Sequence, residues 1–348
     1  MRIQPMIRLL GYLLLMLSIT SCKTNLVYIN VLQPAPVSIR GDAQTAGLLN
    51  RSIPDPANPK LSELHNALGA NTKEITEEGS AQAVEGLKNA LIEQNRFTEV
   101  TTIQEKPYYA SLVGSFSPPL SWKEVRDICK RDSVDVLLVL EVFDTRLQIP
   151  PPTVPSVPKS PTELINGVMN TQVPVTTDIK TGWRIYDPQQ KTINDEIYLS
   201  NGFTFTAGVI NAPQAITALM ARKELIKQTA DQLGRNYALR IIPYWQEVTR
   251  EYYVKGTPQF RVAMRKARTG NWEEAGALWM KETENRKRKI AGRACYNMAI
   301  ISEINGELDQ AVSWAQKAYE DYNNRLALRY VNILRDRQEE ARVLEYQE

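Results

Sequence analysis

Histidine occurs once in 348 residues, as His65. That excludes metal centres built from several imidazoles and leaves at most one histidine for a nucleophilic triad. His65 sits in the polar stretch Leu61-Ser62-Glu63-Leu64-His65-Asn66 beside a proline-bearing loop at residues 53–59, the setting of a surface residue. Cysteine is nearly as scarce: there are three, with no C-x-x-C pair. No G-x-x-x-x-G-K-[ST] loop is present to cradle a phosphate. Neighbouring carboxylates such as Asp195 and Glu196 occur in any chain of this length and define no glycosidase without geometry. These absences point away from an enzyme, and no catalytic residue, cofactor or metal is expected.

Net charge is also nearly absent. Lys and Arg total 42 against 39 Asp and Glu, and setting aside Arg2 and Arg8 leaves 40 against 39, a balance of +1. Phosphate-backbone binding rests on clustered cations in excess, so nucleic acid is not an expected partner. Apolar runs of membrane-spanning length are missing too. The run at residues 9–17 is too short to cross a bilayer, and with Arg2 and Arg8 before it and Ser18, Thr20 and Ser21 after it, it has the layout of a secretory signal.

That run ends in Ile19-Thr20-Ser21-Cys22, which resembles a bacterial lipobox. The resemblance implies a signal peptide over residues 1–21 and lipidation of Cys22, with several acyl chains holding the protein to a membrane far more firmly than one would. The remaining thiols are Cys129 and Cys295. They either pair across the chain or lie separately buried; Cys129 shares an apolar face with Val125 and Ile128, and Cys295 stands beside Met298 and Ala299.

Along the chain, residues 26–32 read as a strand, residues 82–95 as a helix, and Phe97 with Val100 as a short extended piece. Trp122, Val125, Ile128 and Cys129 lie on one helical face, and residues 134–143 read as a central strand buried on both faces. Seven prolines between Ile149 and Val175 break regular structure, so residues 150–174 form a Pro-rich excursion off the sheet. Residues 177–186 and 192–200 read as a β-hairpin whose first strand alternates as a half-buried strand would, with Ile179, Thr181, Trp183 and Ile185 against Asp178, Lys180, Gly182 and Arg184. A helix over residues 213–239 and an extended segment to Val254 complete an α+β (α/β) N-terminal domain, set at residues 22–255.

From residue 256 to 348 the pattern is helical only. Gly270-Asn271-Trp272-Glu273-Glu274-Ala275 is echoed by Gly306-Glu307-Leu308-Asp309-Gln310-Ala311, an offset of 306 minus 270, or 36. Glycine lets a helix stop, a large apolar residue two positions on packs in the turn, and alanine lets paired helices touch. Trp279 fills the space between helices in one copy, while Ala299, Ala315 and Ala318 supply close contact in the other. The pattern resembles tetratricopeptide repeats, whose period is about 34 residues, so an all-α tetratricopeptide-like repeat domain is expected to follow the α+β domain. The usual proline at the repeat end is replaced by Lys287 and Asn323.

The tetratricopeptide resemblance implies a protein-binding groove lined by the first helix of each pair. Its candidates are Arg261, Arg265 and Arg268 on one helix and Arg293, Tyr296, Asn297 and Ile300 on the next; the alternative is a solvated helix face. Arg286-Lys287-Arg288-Lys289 forms a basic cluster, either a solvated helix end or a contact for anionic lipid head groups. The phrases Leu91-Ile92-Glu93-Gln94-Asn95-Arg96-Phe97 and Ser133-Val134-Asp135-Val136-Leu137-Leu138 resemble envelope α/β domains of the TolB amino-terminal and CsgG kinds. The whole chain is similar to Bacteroidota lipoproteins in which such a domain precedes tetratricopeptide repeats. In that phylum surface export goes with acidic residues after the lipidated cysteine; Lys23-Thr24-Asn25-Leu26 has none, which implies an outer-membrane lipoprotein facing the periplasm. The expected role is a non-enzymatic adaptor for an envelope protein or peptide, or else a subunit of a homo-oligomeric secretion or assembly complex.

Overall fold

A computed structural model describes residues 23–53, 72–103, 109–110, 114–148, 172–208 and 212–348. Cys22, His65, most of the loop at 53–59 and the prolines at 150–161 lie outside them. The described residues form two compact units, one of residues 34–243 with 345–348, the other of residues 23–33 with 244–344. The N-terminal domain set at 22–255 therefore has both its ends, 23–33 and 244–255, in the helical unit. The reason is packing, since Val27, Tyr252 and Val254 are buried in the core of the helices.

The first unit is built on five strands: β2 (Thr45–Asn50), β3 (Glu99–Thr102), β4 (Val136–Gln148), β5 (Gln172–Asp187) and β6 (Thr192–Gly208), in the order β3-β2-β4-β5-β6. β2 runs parallel to β3 and β4, and β4, β5 and β6 are antiparallel neighbours. β4 is central because its start, Val136 to Leu140, is apolar at every position and therefore needs cover on both faces. α1 (Thr72–Glu93) and α3 (Ala212–Ala238) cover one face, where Leu87, Leu91, Ile226 and Leu233 join Leu138, Trp183 and Ile185 in one core. α2 (Trp122–Asp132) covers the other, with Val125, Ile128 and Cys129 against Leu137, Val139 and Tyr186. Its start is set by a capping box: Ser121 Oγ accepts from the Glu124 N–H, and Glu124 Oε2 accepts from the Ser121 N–H at 2.8 Å.

Two local readings change. The half-buried alternation expected in the first strand of the hairpin fails over residues 181–187, all of which are buried. The segment before α2 closes the second face there: Tyr186 Oη accepts from the Leu120 N–H at 3.2 Å, and Arg184 Nη1 donates to the Ser117 carbonyl at 2.7 Å. The proline-rich excursion also ends sooner than expected, because β5 begins at Gln172 and takes in Pro174. β4 pairs with β5 only from Thr176 onward, so at Pro174 the strand has β6 alone beside it, a position where a missing N–H is tolerated.

α1 and α3 cross at glycines. A Cβ at Gly234 would lie 2.0 Å from the Ala83 carbonyl oxygen, and one at Gly86 would lie 2.3 Å from that of Asp231. Both neighbours are backbone and cannot turn aside. Gly234→Ala is expected to destabilise this unit by about 1–3 kcal/mol through overpacking, despite a gain in helix propensity of up to about 1 kcal/mol. A urea midpoint equal to or above that of the parent would count against the crossing.

In the second unit, β1 (Thr24–Gln33) and β7 (Tyr244–Tyr253) form an antiparallel two-stranded sheet. With it pack α4 (Pro258–Arg268), α5 (Trp272–Glu282), α6 (Arg288–Ile304), α7 (Leu308–Glu320) and α8 (Arg325–Gln347). The 36-residue echo is a geometric one. α5 and α7 begin at Trp272 and Leu308, each preceded by a glycine in the left-handed region, Gly270 at φ 80° and Gly306 at φ 79°. Ala275, Trp279, Ala299, Ala311, Ala315 and Ala318 are all fully buried between helices. Asn323, where the usual proline is missing, takes φ 54°, and Lys287 is the N-cap of α6. Among the described residues no helix is long and apolar enough to cross a membrane.

Candidate functional site

The face of α6 named as a groove holds four candidate residues, and the chain's own strand covers it. Asn297 is fully buried mid-helix, where an amide must find partners for both its donor and its acceptor. It finds them on the backbone of one residue of β7: the Tyr253 N–H donates to Asn297 Oδ1 at 2.7 Å, and Asn297 Nδ2 donates to the Tyr253 carbonyl at 2.8 Å. One turn earlier, Arg293 Nη1 donates to the Lys255 carbonyl at 2.6 Å, with its guanidinium 5.2 Å from the centre of the Tyr253 ring. Tyr296 packs edge-on to Tyr253 at 5.3 Å, its hydroxyl pKa raised mainly by burial, and Ile300 is fully buried.

A buried ion pair fastens the strand further along. Arg250 on β7 reaches Glu303 near the end of α6 with two parallel hydrogen bonds, Nε to Oε2 at 2.8 Å and Nη2 to Oε1 at 2.7 Å. Tyr330 of α8 donates to the same carboxylate at 2.5 Å, and burial holds its hydroxyl well above its ordinary pKa. The Glu303 side chain is 1 % exposed and that of Arg250 10 %, so each charge depends on the other. On the α4–α5 side of the strand, Tyr252 packs against Trp272 at 5.4 Å and Trp279 at 5.9 Å. Arg293, Tyr296, Asn297 and Ile300 are thus brought together as the seat of β7, with Arg293 also lining a cleft at the start of α6.

Arg261, Arg265 and Arg268 of α4 are placed differently. All three are exposed, and among the described residues none forms an ion pair. Their spacing of four and three residues sets them along one helical face. Repeat positions Trp272 and Leu308 are partly buried against the helical core.

The first unit carries a polar cluster that sequence reasoning did not single out. Glu141 on β4 is fully buried and takes hydrogen bonds from Arg51 Nη1 at 3.1 Å, Arg184 Nη1 at 3.2 Å and Tyr186 Oη at 3.1 Å. The Tyr186 hydroxyl is pushed up to about 12, first by burial and then by the Glu141 charge. A charged residue inside the run Leu137 to Val142 was the available signal. Every member has a partner among the described residues, so the network organises the sheet. Asp195 and Glu196, the adjacent carboxylates, are ion-paired separately with Arg240 and Arg184.

Cys129 and Cys295 are free thiols, each buried in the core of its own unit. Burial pushes Cys129 up to about 12 and Cys295 up to about 11, so at neutral pH both are protonated and poor nucleophiles. Among the described residues no group of three or more His, Cys, Asp or Glu is placed to hold a metal ion.

With these arrangements in view, the class of protein is an α+β unit joined to a helical one. The chain belongs to the family described as domain of unknown function DUF8603, whose model matches residues 43–253, while the model described as domain of unknown function DUF6340 matches residues 261–341. No curated protein matches the chain. Among solved structures it is similar to a minor lipoprotein from Acinetobacter baumannii, with 12 % identity, 57 % of this chain and 94 % of that chain covered, and a TM-score of 0.26. It is also similar to the PelC dodecamer from Paraburkholderia phytofirmans, with 9 % identity, 62 % and 96 % coverage and a TM-score of 0.24.

Proposed function

We propose that this chain is a lipid-anchored cell-envelope protein, held through Cys22 in the outer membrane and facing the periplasm, that serves without catalysis as an adaptor for another envelope protein. Its tetratricopeptide-like helices carry the contact, and the α+β unit is the platform. The observation behind this reading is the row Arg261, Arg265 and Arg268, exposed and without carboxylate partners among the described residues. With the inner face of α6 occupied by β7, the row is the candidate surface that stays open. Its chemistry fits an acidic segment of the partner, with the charges steering encounter more than setting affinity.

The test is in vivo cross-linking of the intact chain beside a variant carrying Arg261→Ala, Arg265→Ala and Arg268→Ala. A specific partner that is lost in the variant supports the adaptor reading, and equal recovery from both sinks it. The anchor has its own test in the buried thiols. Alkylation at pH 8 is expected to add nothing to the folded chain and two groups after unfolding, because a thioether to lipid removes the third thiol. Three additions to the mature chain would end the lipid-anchor reading.

A second reading, self-assembly of the α+β unit, draws on β6. This strand of 17 residues ends the sheet with one edge unpaired among the described residues, and such an edge invites pairing with another copy. Mass measurement in neutral detergent decides it, since a strict monomer argues against stable assembly.

A further inference from the structure

Helix α6 starts with the wrong charges. Its first turn holds no acidic residue, its N-cap Lys287 makes no side-chain cap, and Arg286, Lys287, Arg288 and Lys289 crowd its positive end. Among the companion helices α5 has Glu273 and Glu274 in its first turn with Asn271 as cap and α7 has Asp309, while α4 and α8 also start without an acidic residue; α6 differs in the four consecutive cations at its start. A bound anion would reverse the penalty at α6.

The same helix end lines a cleft of about 490 Å³, within the roughly 300–1,000 Å³ range of small-ligand sites. Its cations come from three places in the chain: Lys23 just before β1, Arg288, Lys289 and Arg293 of α6, and Arg325 at the start of α8. No carboxylate lines it. Two guanidiniums are held by aromatic rings, Arg288 at 5.6 Å from the centre of Tyr322 and Arg293 at 5.2 Å from that of Tyr253. The side chains of Lys23, Lys289 and Arg325 have no hydrogen-bond or ion-pair partner among the described residues and are exposed. Lys23 is also the residue that follows Cys22 in the sequence.

We propose that this cleft binds the phosphate of an anionic phospholipid headgroup in the leaflet that holds the Cys22 acyl chains. The assignment rests on the lipid-anchor reading for its choice of source, because an acylated Cys22 keeps Lys23 at headgroup level. The phosphate then lies at the uncapped start of α6 with Arg288, Lys289 and Arg325 around it. The cleft turns a hydrophobic tether into an oriented one, fixing which side of the helical unit faces the bilayer.

The experiment uses the full mature chain as extracted with its lipid, in neutral detergent micelles doped with equal small fractions of phosphatidylglycerol or phosphatidylcholine. Retained lipid is counted by native mass spectrometry. Phosphatidylglycerol should be retained selectively, and Arg288→Ala/Lys289→Ala/Arg325→Ala should weaken retention on the order of a hundredfold, from the usual contribution of a cation near an anionic surface. Lys123→Ala/Arg126→Ala/Lys130→Ala on α2, which removes the same charge from exposed positions elsewhere, should retain it as the parent does. Equal retention of the two lipids, or equal loss in the two triple variants, would overturn the proposal. So would inorganic phosphate alone occupying the site as tightly as phosphatidylglycerol, since the ligand would then be a free anion. The intact mass reports acylation independently: an unacylated chain that still selects phosphatidylglycerol ends the anchor reading and leaves the cleft standing. Unchanged circular dichroism of the variants, whose substituted residues are exposed, excludes misfolding as the cause of loss.

Discussion

Glu141→Ala is expected to lower the unfolding free energy by about 3–5 kcal/mol, the cost of removing one partner from a buried ion pair. The Glu141 side chain is 0 % exposed, and Arg51 and Arg184, at 12 % and 4 %, converge on it. Without the carboxylate, Arg184 keeps Glu196 and the Ser117 carbonyl, but among the described residues Arg51 keeps only the hydrogen bond to the Pro118 carbonyl, and the Tyr186 hydroxyl loses its acceptor. The Arg51 guanidinium, 12 % exposed, is then left without the carboxylate that accepts its hydrogen bonds. Removing charge from both sides should cost less: Glu141→Met with Arg51→Met is expected to recover part of the loss, because no Arg51 charge is then left without its carboxylate. Urea unfolding of the parent, the single and the double variant checks both statements. A single-variant loss below about 1 kcal/mol, the level of an exposed pair, would show that water reaches the cluster.

Local signals were readable wherever a residue acts on its near neighbours. The stripe Trp122, Val125, Ile128 and Cys129 defines α2, and Gly270 and Gly306 mark the turns into α5 and α7. What escaped reading depends on distant partners. β2 is only Thr-Ala-Gly-Leu-Leu-Asn, poor in β-branched residues, and becomes a strand because β3 and β4 flank it on both edges. Its Gly47 leaves room for Ile103 and Val134, which a Cβ would meet at 2.8 and 2.9 Å. The pairing of β1 with β7 joins Thr24 to Tyr253, and no local pattern states that residues 24–33 return to the helices. The burial of Arg184 follows from residues 116–120 folding over the sheet, again a long-range event. The groove residues show both cases together. Tyr296, Asn297 and Ile300 were named as groove residues on the tetratricopeptide resemblance, yet nothing in α6 itself says that the face is already filled.

Asn297→Ala tests that filling directly. The variant leaves the Tyr253 N–H and carbonyl without the partners they have in the parent, at about 1–3 kcal/mol for each buried group, so a loss of about 2–6 kcal/mol is expected. The damage should stay local, because Arg250 still holds Glu303 through two hydrogen bonds and Tyr252 still packs against Trp272 and Trp279. Amide exchange should therefore quicken at residues 252–255 and change little at residues 246–250. Asn297→Asp should fall between the two, since a carboxylate accepts from the Tyr253 N–H but offers the carbonyl no donor. The functional consequence separates two uses of one surface. If β7 is a permanent part of the helical unit, opening it weakens the fold and adds nothing to partner recovery, which stays governed by Arg261, Arg265 and Arg268. Increased cross-linking to a partner in Asn297→Ala would instead make β7 an internal occupant that a partner strand displaces, and the contact would move from α4 to α6.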